Sequence, residues 1–169
     1  NKNLPIGGGL WSIIYHPEDA PATPYTDWTF TGRIERMPEF TAPKLGKFDN
    51  NVSMEITVPK DANGVLYALG GFSGGLALYV KDGYLSYEYN LFEIDRTHIK
   101  SKTKLPTGDV KIEVISRLAS PERGSPLDVT LLVNGKEVAK GQVPITAAFA
   151  FTANDCLDFG SDLGSPVSL

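Results

Sequence analysis

Arg96, His98, Lys100, Lys102 and Lys104 fall on every second residue, with Thr97, Ile99, Ser101 and Thr103 between them. On an extended strand side chains alternate between faces, so this spacing lines up four permanent positive charges and one titratable ring. A stripe of that kind can hold a sulfated or carboxylated glycan through charge-assisted hydrogen bonds. The same spacing also suits an exposed or edge strand kept soluble by its lysines, a common guard against edge-to-edge pairing.

The other chemistry-bearing residues are sparser. Gly71-Phe72-Ser73-Gly74-Gly75 spells the G-x-S-x-G pattern, and His16 and His98 are the only histidines. A nucleophile elbow needs a strand, a turn and then a helix, whereas Leu76-Ala77-Leu78-Tyr79-Val80 reads as a strand. The same objection removes Gly70–Gly75 as a phosphate cradle, which needs a helix N-terminus and usually a Lys. A tight turn or bulge between strands is the better reading of these glycines. Asp155, Asp158 and Asp162 gather with Asn154 in an oxygen-rich stretch that could hold calcium, although the spacing is not that of an EF-hand loop. A glycan hydrolase needs two carboxyl groups about 5–10 Å apart. Glu55, Glu88 and Glu113 are isolated in sequence, and Glu93 with Asp95 is the only nearby acidic pair on one face.

The elements that must position these groups are strands. Val52, Met54, Ile56 and Val58 alternate with Ser53, Glu55 and Thr57, a half-buried strand with one wet face. Residues 64–70 form an apolar run bounded by glycines. Residues 76–81, Asp82-Gly83 and residues 84–90 read as a hairpin, because Asp-Gly supplies the positive φ angles of a two-residue primed turn. Val110, Ile112 and Val114 alternate with polar residues, and Val129, Leu131 and Val133 lead into a second such turn, Asn134-Gly135. Phe149, Phe151, Leu157 and Phe159 close the apolar series. Tyr79, Tyr84, Tyr87, Tyr89 and Phe92 are aromatic enough to suggest a sugar-stacking platform, but Tyr87 and Tyr89 share a face with Leu85, which makes the core the better home for them. No segment has a capped 3.6-residue period. The pattern implies an all-β fold, an antiparallel two-sheet β-sandwich of the jelly-roll or concanavalin A-like kind. It spans residues 28–169, after a Gly- and Pro-rich linker or docking arm at 1–27 in which Trp11, Ile13, Ile14 and Tyr15 form an apolar clump.

Composition bounds the function. The 169 residues suffice for one domain. Apolar residues at 41% and charged residues at 21% fit a globular chain. Sixteen basic against twenty acidic residues leave a net charge of −4, without the electrostatic footprint of a nucleic-acid binder. No apolar run approaches the roughly 18 residues of a membrane span. A single cysteine, Cys156, excludes an internal disulfide and a cysteine-built zinc site. Its apolar neighbours Leu157 and Phe159 suit a small buried thiol.

Several strings stand out in order: Leu4-Pro5-Ile6-Gly7-Gly8-Gly9-Leu10-Trp11, His16-Pro17-Glu18-Asp19, Arg36-Met37-Pro38-Glu39, the stretch 64–76, Tyr79-Val80-Lys81-Asp82-Gly83, Tyr87-Glu88-Tyr89-Asn90 and Asp162-Leu163-Gly164-Ser165-Pro166-Val167-Ser168. Together they resemble the C-terminal region of large bacterial arylsulfatases. The likeness runs over nearly the whole chain. In that family the tail continues past Gly-Ser-Pro-Val-Ser into a further strand, so the resemblance implies a fragment truncated at its C-terminus. It also implies a periplasmic or secreted parent that hydrolyses sulfate esters with a formylglycine, made within Cys/Ser-x-Pro-x-Arg, and a calcium ion. Cys156 is followed by Leu157-Asp158-Phe159-Gly160, and Ser120-Pro121 and Ser165-Pro166 set the proline one place early. No family catalytic residue carries over, and no cofactor is expected in this chain. The expectation is a non-catalytic accessory domain that packs on the catalytic sulfatase domain of the same polypeptide. The alternative is a carbohydrate-binding module that holds a sulfated or anionic glycan on the basic stripe.

Overall fold

The computed structural model describes residues 25–151 and 155–168. Most of the expected arm, with its apolar clump and His16, lies outside the described residues, as does Asn154. Among the described residues there are ten strands: β1 Met37–Pro38, β2 Asn50–Val58, β3 Gly64–Gly71, β4 Gly74–Lys81, β5 Tyr84–Leu91, β6 Asp95–Lys104, β7 Gly108–Leu118, β8 Leu127–Val133, β9 Lys136–Val143 and β10 Cys156–Phe159. They form a six-stranded sheet ordered β1-β10-β3-β4-β5-β6 and a four-stranded sheet ordered β2-β7-β8-β9, with every pairing antiparallel. The chain crosses between the sheets four times, between β1 and β2, β2 and β3, β6 and β7, and β9 and β10. This is the antiparallel two-sheet sandwich implied by the sequence, with crossings of the jelly-roll kind.

Alternation decides what fills the space between the sheets. Leu69, Leu76, Leu78, Leu85, Tyr87 and Tyr89 of the larger sheet meet Ile112, Val114, Val129 and Leu131 of the smaller one, all buried. Tyr87 and Tyr89 are core residues, as their shared face with Leu85 implies. Val52, Met54 and Ile56 are only half-buried because β2 lies at a sheet edge.

Both primed turns form. Asp82 and Gly83 have φ of 55° and 83°, Asn134 and Gly135 of 50° and 76°, and Lys81 pairs with Tyr84 and Val133 with Lys136. A β-branched residue resists positive φ, so Gly135→Val should cost about 1–3 kcal/mol. Open space surrounds the position at which that side chain would start, so the loss would be conformational and not steric. A thermal melt of Gly135→Val that superimposes on wild type would contradict this.

Ser73 and its flanking glycines belong to the turn between β3 and β4, where Gly71 pairs with Gly74 and the next element is strand β4. Cys156 corrects an expectation. It is half-buried, because Leu157 takes the core-facing position and Cys156 falls on the opposite face of β10. Asp158, on the face of Cys156, is the buried one.

Candidate functional site: the outer face of the large sheet

β5 is buried on both faces, which alternation alone does not require. The stretch 160–168 runs over the outer face of the large sheet and packs Val167 onto Ala68, Ala77 and Tyr79. Three carboxylates fold it down. Asp158 accepts the backbone N–H groups of Arg36 (2.6 Å) and Leu163 (3.1 Å). Asp162 accepts that of Val167 (2.8 Å), and Asp155 accepts the Ser165 hydroxyl (3.0 Å). Burial pushes the Asp162 carboxyl above its ordinary value, and the neighbouring Asp158 and Asp155 charges add to the shift against the Val167 hydrogen bond. Among the described residues no group of three acidic, His or Cys side chains is placed to hold a metal ion.

The basic residues sit on β6, at one edge of the large sheet and beside β9 of the other. Their rows across the ladder are Arg96 with Asn90, His98 with Glu88, Lys100 with Ser86 and Lys104 with Tyr84. The unbroken stripe expected from spacing is interrupted. Residues 100–104 span what only Tyr84 to Ser86 span on β5, and the bulge is held by Ser101, which accepts the Leu85 N–H (3.0 Å) and donates to the Thr103 carbonyl (2.8 Å). Lys102 therefore has no residue opposite it. Arg96 is not a free cation either. It pairs with Glu88 (2.8 Å) and Glu93 (3.6 Å) and donates to the Val167 carbonyl (2.8 Å).

Glu88 is thus not the isolated acid that its sequence context suggests. The Tyr79 hydroxyl donates to it (3.2 Å), lies 2.8 Å from His98 Nε2 and accepts from Ser168 (3.3 Å). Burial raises the Tyr79 phenol above its ordinary value, and the Glu88 charge adds to the shift. These groups, with Lys81, Ser86 and Lys100, line a cavity of about 300 Å³. In the sequence Tyr79 reads as part of an aromatic stretch and Glu88 as an isolated acid, while Lys81 and Ser86 carry no mark of a site. The hairpin turn at Asp82-Gly83 carried the signal, because a Lys81–Tyr84 pair forces Tyr79 opposite Ser86 and Ala77 opposite Glu88.

A second feature lies at one end of the sandwich. Eight large apolar side chains are exposed among the described residues, and six of them, Phe48, Phe72, Phe92, Ile94, Ile145 and Phe149, lie in the loops of this end, with Lys44, Arg96 and Arg123 over the Phe48, Phe72 and Phe149 rings. Phe72 sits in the β3–β4 turn, and Phe92 and Ile94 in the neighbouring β5–β6 turn. Phe48 precedes β2, Ile145 and Phe149 follow β9, and Phe40 is next to Glu39, whose carboxylate accepts the Phe151 N–H. Here Tyr89 of β5 joins the loops before β2 and after β9, donating to the Gly46 carbonyl and accepting the Ala147 N–H.

No protein-family model matches the chain, and no curated protein matches it. Among solved structures it is similar to a native heptameric SAP-like pentraxin from Limulus polyphemus, at 14% identity and a TM-score of 0.43, over 72% of this chain and 57% of that one. The chain therefore spans little more than half the length of that pentraxin. No helix among the described residues is long and apolar enough to cross a membrane.

Proposed function

We propose that this chain is a non-catalytic accessory domain of an arylsulfatase, and that it packs through its apolar end on the catalytic domain of the same polypeptide. The observation that carries the reading is the collection of Phe48, Phe72, Phe92, Ile94, Ile145 and Phe149 at one end. Soluble domains rarely gather exposed apolar side chains, and such patches mark protein contacts. The motif resemblance supplies the partner. The chemistry of the parent belongs to that partner: Cys156 lacks the Pro and Arg that formylglycine formation uses, and Asp155, Asp158 and Asp162 are engaged in holding the 160–168 stretch.

The test has two readouts. The chain incubated with a chromogenic aryl sulfate should release only background phenol. Mixed with the separately produced catalytic portion of its own polypeptide, it should form a complex by calorimetry. Ile94→Asp and Ile145→Asp remove anchors that are 81% and 55% exposed, so they should leave the fold intact while each weakens the complex about tenfold. Turnover abolished by Cys156→Ala, or a complex indifferent to both substitutions, would refute the reading.

A further inference from the structure

The cavity on the outer face of the large sheet needs no sulfatase parent, and it meets the apolar end only at Arg96, which lies over the Phe72 ring, 5.7 Å from its centre. Its charges do not cancel. Arg96 and Glu88 neutralise each other, and Arg96 also stands 3.6 Å from Glu93 and donates to the Val167 carbonyl. Lys81 and Lys100 form no ion pair among the described residues, yet both border the cavity. Lys81 precedes the hairpin turn and Lys100 stands opposite Ser86, two rows further along the sheet. The Lys100 ammonium lies over the Tyr84 ring, 4.5 Å from its centre, which holds its stem along the sheet.

The rest of the lining is polar but nearly neutral. The Tyr79 hydroxyl, His98 Nε2, Glu88 and the hydroxyls of Ser86 and Ser168 gather in the same cavity, and they offer both donors and acceptors. A ligand that satisfies the whole lining needs an oxyanion for the two lysines and vicinal hydroxyls for the Tyr–His–Glu array. An inorganic anion lacks the second part. A nucleic-acid backbone would need a longer track of unpaired cations than two lysines on a chain of net charge −4. A cavity of about 300 Å³ is at the small end of ligand sites, enough for one ring and its substituent.

We propose that this cavity binds one acidic residue of an oligosaccharide, with its sulfate ester or carboxylate between Lys81 and Lys100 and its ring hydroxyls on Tyr79, His98 and Glu88. The proposal differs from a general basic stripe in one respect that can be measured. It needs Lys81, which lies on β4 outside the stripe, and it does not need Lys102, which sits in the bulge.

The chain would be titrated, by calorimetry and by amide chemical-shift changes, with three probes: a sulfated heparin tetrasaccharide, a tetragalacturonate, and a neutral galactan tetrasaccharide. Binding to at least one acidic probe and not to the neutral one is expected, and the stronger of the two identifies sulfate or carboxylate as the recognised group. Association should weaken between 0.15 M and 1 M salt, as the Debye length falls from about 8 Å to about 3 Å. Lys81→Ala and Lys100→Ala, both exposed positions, should each weaken it about tenfold, the loss of one charge-assisted contact. Lys102→Ala should leave it unchanged. Silence with both acidic probes, or a Lys102→Ala loss equal to that of Lys81→Ala, would overturn the assignment. A failed complex with the catalytic domain would leave it untouched, because that experiment reads the apolar end.

Discussion

Glu39→Ala is expected to cost about 3–5 kcal/mol, the usual penalty for removing one partner of a buried ion pair. The Glu39 side chain is 3% exposed and that of its partner Lys47 is 10% exposed. The Lys47 ammonium contacts one carboxylate oxygen and stands over the Phe151 ring, 5.5 Å from its centre. Both carboxylate oxygens also accept the Phe151 backbone N–H, at 2.9 and 3.1 Å. Truncation therefore strands a cation and a backbone donor in an apolar setting, and each must be desolvated without compensation. Glu39→Gln keeps an acceptor for the Phe151 N–H and should lose less. Glu39→Ala combined with Lys47→Met removes the stranded charge and should recover part of the loss, since the two sites share one interaction. Urea unfolding at constant m-value is the measurement. A Glu39→Ala midpoint within error of wild type would mean that the pair does not hold the sandwich together.

Glu39 also shows where the sequence stopped being informative. Strand period, the two primed turns and the core tyrosines were legible because each depends on local geometry: alternation sorts Leu85, Tyr87 and Tyr89 from Ser86, Glu88 and Asn90, and Asp82-Gly83 pins the β4–β5 register. Glu39 stands between Arg36-Met37-Pro38 and Phe40-Thr41, a mixed stretch with no periodic signal. It is buried because residues 39–41 form a 3-10 turn that delivers the carboxylate to a segment more than a hundred positions later. No spacing rule encodes such a contact.

The candidate site was legible by halves for the same reason. The alternation of β6 brought out Arg96, His98, Lys100 and Lys104 on one face. The bulge that displaces Lys102 depends on Ser101 turning its hydroxyl to the Leu85 N–H, which no pattern of residue types announces. Burial of the outer face was hidden as well. Ser86, Glu88 and Asn90 alternate with the core tyrosines and are buried nonetheless, because the 160–168 stretch, fastened by Asp158 and Asp162, lies over this face and Asn90 bonds the carbonyls of the β3–β4 turn. Asp155, Asp158 and Asp162 were recognised as oxygen-rich residues, but their partners are backbone N–H groups and a serine hydroxyl.

Tyr89→Phe should be the most costly substitution that changes only a single atom, at about 2–4 kcal/mol, because it strands two buried backbone groups at once. The Tyr89 hydroxyl donates to the Gly46 carbonyl (3.0 Å) and accepts the Ala147 N–H (2.8 Å). Phe keeps the ring, and with it the edge contact to Phe151 at 5.2 Å between centres, so the loss isolates the hydroxyl. Burial pushes the phenol well above its ordinary value of 10.0, and the Glu39 charge pushes the same way against the Ala147 hydrogen bond. The folded protein therefore keeps this proton where the unfolded chain gives it up, and the stabilisation from it is complete below pH 10.0 and declines above it. The deficit of Tyr89→Phe should stay constant through neutral pH and narrow only in strong alkali. On a chain of this length about 3 kcal/mol corresponds to a melting shift of about 6–12 °C. Amide exchange at Ala147 gives the local readout, with protection falling in Tyr89→Phe by more than global destabilisation accounts for. Glu39 grips Phe151 on the same segment, so the two losses should not add in the double variant. Unchanged Ala147 protection in Tyr89→Phe would show that the segment is held without this hydroxyl, and that Phe151 and Glu39 suffice to keep the apolar end in place.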